Sequence, residues 1–329
     1  MANTTTTEIA SARTEFFDKV LLVRALPKLV HDRWGQRRPL PTGNSKIIKF
    51  RRYSSLSTAT SALSEGSQPT PVALSKTDIT ATVIQYGNVV QLTDMVTAIN
   101  AESVLTETNE LLGENAGESL DEIYRDTLVA GTTVQYSNGS ARTNVNEIIT
   151  GEMLDKAIRT LKNNKASMIT KMIKPGVNIA TSGVRPGFWA ICHPDVEYTL
   201  EKLTGWKNTS EYPSQTDVQA DEIGAYKHIR FISTTKAKVF TDSGGAVAGA
   251  VKSTTGTNCD VYAIMIFADN AYGITELRGM GLKTYYKAPG SSGTADTLDQ
   301  LSSAGWKATT VAKILNDNFM LRLEVAASV

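Results

Sequence analysis

Lys46-Ile47-Ile48-Lys49-Phe50-Arg51-Arg52-Tyr53, then a tip of mostly Ser, Thr, Ala, Leu, Gly and Pro, then a return run from about Ile79 to Leu92 holding Val83, Ile84, Tyr86, Val89, Val90 and Leu92: this stretch decides the fold. It predicts a long β-hairpin with no visible core to pack on. At roughly 3.3 Å per residue such a flap reaches on the order of 60 Å. An isolated two-stranded ribbon is marginal in water, and a long bare edge invites pairing with other chains. The expectation is that another copy of the protein covers it, which points to an assembly subunit before it points to an enzyme.

Upstream, residues 1–12 read as an arm, and Phe16, Phe17, Val20, Leu21 and Val23 recur at helical spacing over 14–26, with Thr14 as a cap and Pro27 as an interruption. A basic, proline-marked connector follows, Arg33-Trp34-Gly35-Gln36-Arg37-Arg38-Pro39-Leu40-Pro41. Its cations suit nucleic acid, but a solvated cluster, or one paired with acids on a neighbour, is the favoured reading. Downstream, Leu105, Leu112, Ala116, Leu120, Ile123 and Leu128 form one stripe and predict a long helix over 102–130 with acidic first turns. Gly113 and Gly117 are tolerable inside it if something packs close, and Gly131 is a natural stop. A second helix is expected after Thr150, with Met153, Leu154, Ala157, Ile158 and Leu161 facing inward. Phe188–Cys192 reads as a strand that His193-Pro194-Asp195 turns into a short helix. Residues 205–222 read as a polar loop. Further strands are expected at 228–233, 237–241, 261–267, 281–287 and 308–325, with loops at 242–258 and 288–305. There is no βαβ rhythm, so the class is α+β.

The 329 residues are 41% hydrophobic and 20% charged, which supports a real core and excludes global disorder. The formal net charge of +1 gives no general attraction to DNA or to anionic membranes. Two cysteines, Cys192 and Cys259, make no disulfide framework. The N-terminus lacks a basic flank followed by an apolar run, so no secretory signal and no membrane association are expected.

Chemistry is sparse. Three scattered histidines, His31, His193 and His228, match no metal-ligand spacing, and no phosphate-binding loop or nucleophile elbow occurs. No catalytic, cofactor or metal residue is expected. Cys192 beside His193 is a poor nucleophile–base pair, because strand neighbours point to opposite faces. Val239-Phe240-Thr241-Asp242-Ser243-Gly244 is similar to the strand-and-turn of aspartic proteases, which a dimer would complete through Asp242. The same residues make an ordinary turn.

A set of short pieces, in order and spacing along nearly the whole chain, carries a resemblance: Leu63-Ser64-Glu65-Gly66 with Pro69, Gln85-Tyr86-Gly87, Thr93-Asp94, Leu128-Val129-Ala130-Gly131-Thr132, His193-Pro194-Asp195, Gly224-Ala225-Tyr226, Ile229-Arg230-Phe231-Ile232-Ser233, Gly305-Trp306-Lys307 and Ile314-Leu315-Asn316-Asp317. Together they resemble tailed-bacteriophage major capsid proteins of the Hong Kong 97 type, in the branch found in some podophages. The resemblance implies an α+β capsid fold: an N-terminal arm over 1–45, an extended loop over 46–95, a peripheral domain over 96–187 and 285–329 with a spine helix at 102–130, and an axial domain over 188–284. It implies a non-enzymatic subunit that assembles into hexamers and pentamers of an icosahedral head around double-stranded DNA. Scaffolding and portal proteins, and a decoration protein, are the further partners. The subunit would reside in the virion, and in the host cytoplasm during assembly. Arg51, Arg52, Tyr53, Leu63, Glu65 and Gly66 become the intersubunit contacts of the extended loop, and Arg33, Arg37 and Arg38 the genome-facing cations. The rivals are an encapsulin-like shell around a protein cargo, the dimeric protease, and a decoration or tail-fibre protein.

Overall fold

The computed structural model describes residues 29–329 apart from 44, 61, 63–64, 67, 69–70, 100–103, 173–182, 214–217 and 292–295. The arm at 1–12 and the helix expected at 14–26 lie outside the described residues. The strands are β1 (Gln36–Arg37), β2 (Ile47–Tyr53), β3 (Lys76–Thr82), β4 (Ile84–Thr93), β5 (Val134–Tyr136), β6 (Phe188–Cys192), β7 (Trp206–Asn208), β8 (Glu222–Tyr226), β9 (Ile229–Ser233), β10 (Val239–Phe240), β11 (Val261–Phe267), β12 (Tyr272–Glu276), β13 (Lys283–Lys287), β14 (Leu301–Ile314) and β15 (Met320–Val325). The α-helices are α1 (Asp94–Ile99), α2 (Val104–Val129), α3 (Gly151–Asn163) and α4 (Pro194–Glu201).

Phe188-Trp189-Ala190-Ile191-Cys192 is buried at all five positions, and so is every residue of Val261–Phe267. A strand alternates its side chains between two faces, so unbroken burial demands cover on both. These strands lie inside an eight-stranded sheet ordered β5-β15-β11-β6-β9-β8-β7, with β10 also on β11. On one face Phe188, Ala190, Phe231, Ile264 and Leu323 meet Leu154, Ile158 and Leu161 of α3 and Val196 and Leu200 of α4. On the other, Trp189, Ile191, Met265 and Phe267 meet Leu112, Ala116, Leu120, Tyr124 and Leu128 of α2. That second core is closed by a smaller sheet, β1-β12-β14-β13 with β4 on β14, through Tyr272, Ile274, Trp306 and Ala308.

Three expectations change. The return strand of the hairpin breaks at Val83: β3 pairs with β2, but β4 pairs along ten positions of β14, from Thr93↔Leu301 to Ile84↔Thr310. The 308–325 strand is two strands in two different sheets, joined by a 3-10 turn at Asp317–Phe319, and β14 begins at Leu301 inside the expected loop. The polar stretch 205–222 supplies β7, the buried Tyr212 and the first residue of β8. Sheet membership cuts across chain order. α3, β5 and β15 share a core or ladder with 188–267, whereas β12 sits with β14 in the smaller sheet. Gly131 does end α2, though for space: a Cβ there would lie 2.4 Å from the Met320 methyl.

Residues 29–40 tie these layers together. Asp121, fully buried on α2, accepts the Val30 and His31 amides at 2.8 Å each and the His31 Nδ1 at 2.7 Å. Tyr272 donates its hydroxyl to the His31 carbonyl at 2.7 Å. Trp34 stacks on Trp189 at 5.1 Å, and β1 then pairs in parallel with β12. Behind Trp189 lies Arg230, its guanidinium 4.5 Å from the indole and bound to Glu222 by two hydrogen bonds of 2.6 and 2.5 Å. Both members of this pair are buried. Removing one partner of a buried pair strands the other charge. Arg230→Met is therefore expected to destabilise the subunit by about 3–5 kcal/mol, and Arg230→Met with Glu222→Leu by much less, in urea unfolding of dissociated subunits.

Candidate intersubunit surface

The β2–β3 ladder runs from Ile47↔Thr82 to Tyr53↔Lys76. Its seven pairs span about 23 Å at roughly 3.3 Å per residue. One face carries Ile48, Phe50 and Arg52 with Ala81, Ile79 and Thr77. The other carries Ile47, Lys49, Arg51 and Tyr53 with Thr82, Thr80, Asp78 and Lys76. Only the root is fastened: Phe50, Ala81 and Val83 are buried, and the Val83 amide donates to the Lys46 carbonyl. The Phe50 ring lies over Gly273 of β12, where a Cβ would come within 3.1 Å of it. Beyond the root the ribbon stands out from the body. A groove of about 590 Å³ separates them, lined by Ile48, Phe50, Ile79, Arg38, Leu315 and Phe319.

Among the expected contact residues, Arg51 makes a two-point cross-strand bond to Asp78, 2.9 and 3.2 Å. That bond raises the Arg51 guanidinium and holds the Asp78 carboxyl below its usual range. Both groups are open to water, so the pair fixes register more than it adds stability. Arg52 is exposed beside the groove, and Tyr53 is 59% exposed. The ladder extends one step further, from the Ser54 amide to the Ser75 carbonyl. On the tip Leu56, Val72 and Leu74 stand in solvent, Leu74 at 71% exposure. Glu65 is exposed too, and Gly66 has φ +74°, a left-handed turn position that suits glycine. Leu63 lies outside the described residues. A second exposed apolar set, Ile84, Val89 and Met95, follows along β4 and α1. Alternation in Ile84–Thr93 does not distinguish an outer strand of the body, paired with β14, from a free hairpin arm.

The basic connector is occupied within its own chain. Arg33 donates to the Ala220 carbonyl at 2.8 Å and to Asp221 at 3.1 Å, and Arg37 pairs with Asp32. Burial raises the Asp32 carboxyl, against the opposing pull of Arg37. Arg38 is exposed on the groove.

The enzyme-like constellations resolve into local structure. Cys192 is fully buried in the α3-side core, and burial pushes its thiol well up. His193 caps α4, its Nδ1 accepting the Asp195 amide at 3.2 Å. Burial pushes the Asp195 carboxyl up, but Lys252 at 2.7 Å and the Tyr262 hydroxyl at 2.8 Å outweigh it and hold the group below its usual range. Asp242 sits at φ +49° and accepts from the Thr255 amide and hydroxyl. Its own amide donates to Asp260 at 2.9 Å, which is the work of a loop clasp. Among the described residues no group of three or more His, Cys, Asp and Glu side chains is placed to hold a metal ion, and no helix is long and apolar enough to cross a membrane.

The sequence profile of the phage capsid protein family matches residues 76–291, from the first residue of β3 to just past β13. The chain belongs to the phage capsid protein family. No curated protein matches the sequence. Solved structures share the fold at low identity. The capsid of Ralstonia phage GP4 superposes with a TM-score of 0.64 at 10% identity, over 90% of this chain and 87% of that one. The capsid of cyanophage Pam1 gives 0.60 at 14% identity, over 93% and 92%. The SrpI encapsulin of Synechococcus elongatus PCC 7942 gives 0.52 at 10% identity, over 92% and 86%. The family expected from the short pieces of sequence is thus borne out as a phage capsid protein.

If Phe50 is what fastens the ribbon, Phe50→Ala loosens its root. The expected outcome is faster limited proteolysis within 54–75, by about tenfold or more for a local loss of roughly 2–3 kcal/mol, with an unchanged far-UV spectrum for the body.

Proposed function

We propose that this chain is the major capsid protein of an icosahedral phage head of the Hong Kong 97 type, in the podophage-like branch, assembling into hexamers and pentamers around double-stranded DNA. The observation that carries the reading is the ribbon at 47–82, which is buried only at its root and presents Tyr53, Leu56, Val72 and Leu74 to water. A projecting ribbon finds cover on a neighbour, and a head-to-tail contact of that kind closes rings when its rotation permits. Obligate interfaces bury roughly 2,000–5,000 Å², and at about 25 cal/mol per Å² of apolar area the gross gain offsets the cost of ordering the tip.

In this reading residues 1–45 are the arm and 46–95 the extended loop. α2 is the spine of a peripheral domain over 96–187 and 285–329, and 188–284 form the axial domain, with α3, β5 and β15 reaching across to the larger sheet. Arg51, Arg52, Tyr53, Leu63, Glu65 and Gly66 are the loop's intersubunit contacts. Arg33, Arg37 and Arg38 are the cations offered to the genome, non-specifically, with Arg38 the most open of the three. The subunit works with scaffolding and portal proteins, and with a decoration protein, in the host cytoplasm and then in the virion. No catalytic group is required, since one chain must fit five-fold and six-fold surroundings while its rigid layers keep their shape.

Replacing residues 54–75 by a short turn is expected to leave a folded subunit that forms no complete shells in electron microscopy; intact particles of normal size would refute the role given to the ribbon. Nuclease-protected DNA inside native particles separates a phage head from an encapsulin-like shell, which would hold protein instead.

A further inference from the structure

Past the end of β5 the chain turns through Ser137-Asn138-Gly139-Ser140 toward the 3-10 helix at Arg142–Asn144. In the whole sequence Asn138 is the one asparagine followed by glycine; every other is followed by a residue with a side chain. Asn138, Gly139 and Ser140 are exposed. The Asn138 side-chain amide is not free to swing, because its Nδ2 donates to the Asn146 Oδ1 at 3.1 Å. Gly139 has φ +66°, a left-handed position that suits glycine. A Cβ there would lie 2.5 Å from the Asn144 Nδ2, so a side chain has no room. The Ser137 amide donates to the Glu324 carbonyl at 2.9 Å, whereas the Gly139 amide has no hydrogen-bond acceptor among the described residues. An unhindered, unengaged backbone nitrogen thus follows a tethered side-chain carbonyl in the chain, and holding two reacting groups together makes their reaction effectively unimolecular.

We propose that Asn138 is a site of self-modification in the folded subunit: the Gly139 nitrogen attacks its side-chain carbonyl carbon and converts it to aspartate and isoaspartate. The Gly139 nitrogen gives its proton to hydroxide and bonds to Asn138 Cγ. The Cγ–Nδ2 bond breaks, and Nδ2 leaves as ammonia with a proton from water. The product is a cyclic succinimide. Water then adds to one of the two ring carbonyls. Cleavage of the new N–Cγ bond gives aspartate on the original main chain. Cleavage of the bond from the Gly139 nitrogen to the Asn138 carbonyl carbon gives isoaspartate, with an extra methylene in the main chain. Nothing is oxidised or reduced; an amide and water become an acid and ammonia. Either product replaces the donor on Asn146 with a carboxylate. Isoaspartate also shifts Gly139, which has no spare room against Asn144. The turn is thereby loosened from 144–146 and made more negative.

Purified full-length subunits, aged at alkaline pH below their melting temperature, test this. Peptide mass mapping is expected to show amide-to-acid conversion at residue 138 ahead of every other asparagine, with isoaspartate detected by enzymatic methylation. The rate is expected to rise in step with hydroxide. Asn138→Gln, whose cyclisation needs a larger ring, is expected to lose the new acidic species in isoelectric focusing. Conversion at 138 only after unfolding in urea would overturn the proposal, because the fold would then protect the pair. A rate indifferent to pH would overturn it too, as would an acidic species that persists in Asn138→Gln. Site-resolved mapping of the parent decides the matter even if that variant folds poorly. The outcome is independent of whether the chain forms shells.

Discussion

A strand with five consecutive buried residues cannot lie on the surface of a small protein, and Phe188–Cys192 imposes that condition on everything around it. Both of its faces need apolar cover. The amphipathic α3 and the short α4 satisfy one face. The other is satisfied by α2, and α2, being longer than the larger sheet needs, has room for the smaller sheet on its flank. The ribbon leaves from this smaller sheet, and its direction is set by the packing of Phe50 over Gly273.

The strap at 29–40 converts three packed layers into one body. Its contacts are polar where they must be specific: one carboxylate, Asp121, accepts two amides and an imidazole nitrogen in a fully buried site. A buried carboxylate is costly unless its acceptors are filled, so this geometry admits one register of the strap against α2. The stack of Trp34, Trp189 and Arg230, closed by Glu222 and Tyr212, does the same against the larger sheet. The strap is thereby held to α2 and to the sheet core at once.

Stability and assembly draw on different parts of the chain. The cores use the interior faces of the two sheets, while the exposed apolar side chains collect on the ribbon, on β4 and on α1. Apolar area left in water by the single subunit is the free energy available to the shell.

Local sequence determined most of the elements. Period-two and period-3.6 patterns placed β2, β6, β9, β11, α2 and α3 within a few residues, and ordered short motifs carried the family. What sequence did not contain was partnership. Nothing in Ile84–Thr93 distinguishes a strand that continues a free hairpin from one that joins β14, because both present the same alternation. Nothing in Arg33 announces that Asp221, 188 positions away, will neutralise it. Asp121 reads as one more solvent-facing acid of an acidic helix until the strap folds onto it. Pattern is a property of neighbours in the chain, and it fixes which face of an element is apolar. Which element covers that face, and which charge ends opposite which, depends on residues tens to hundreds of positions away, and only the tertiary structure brings those together.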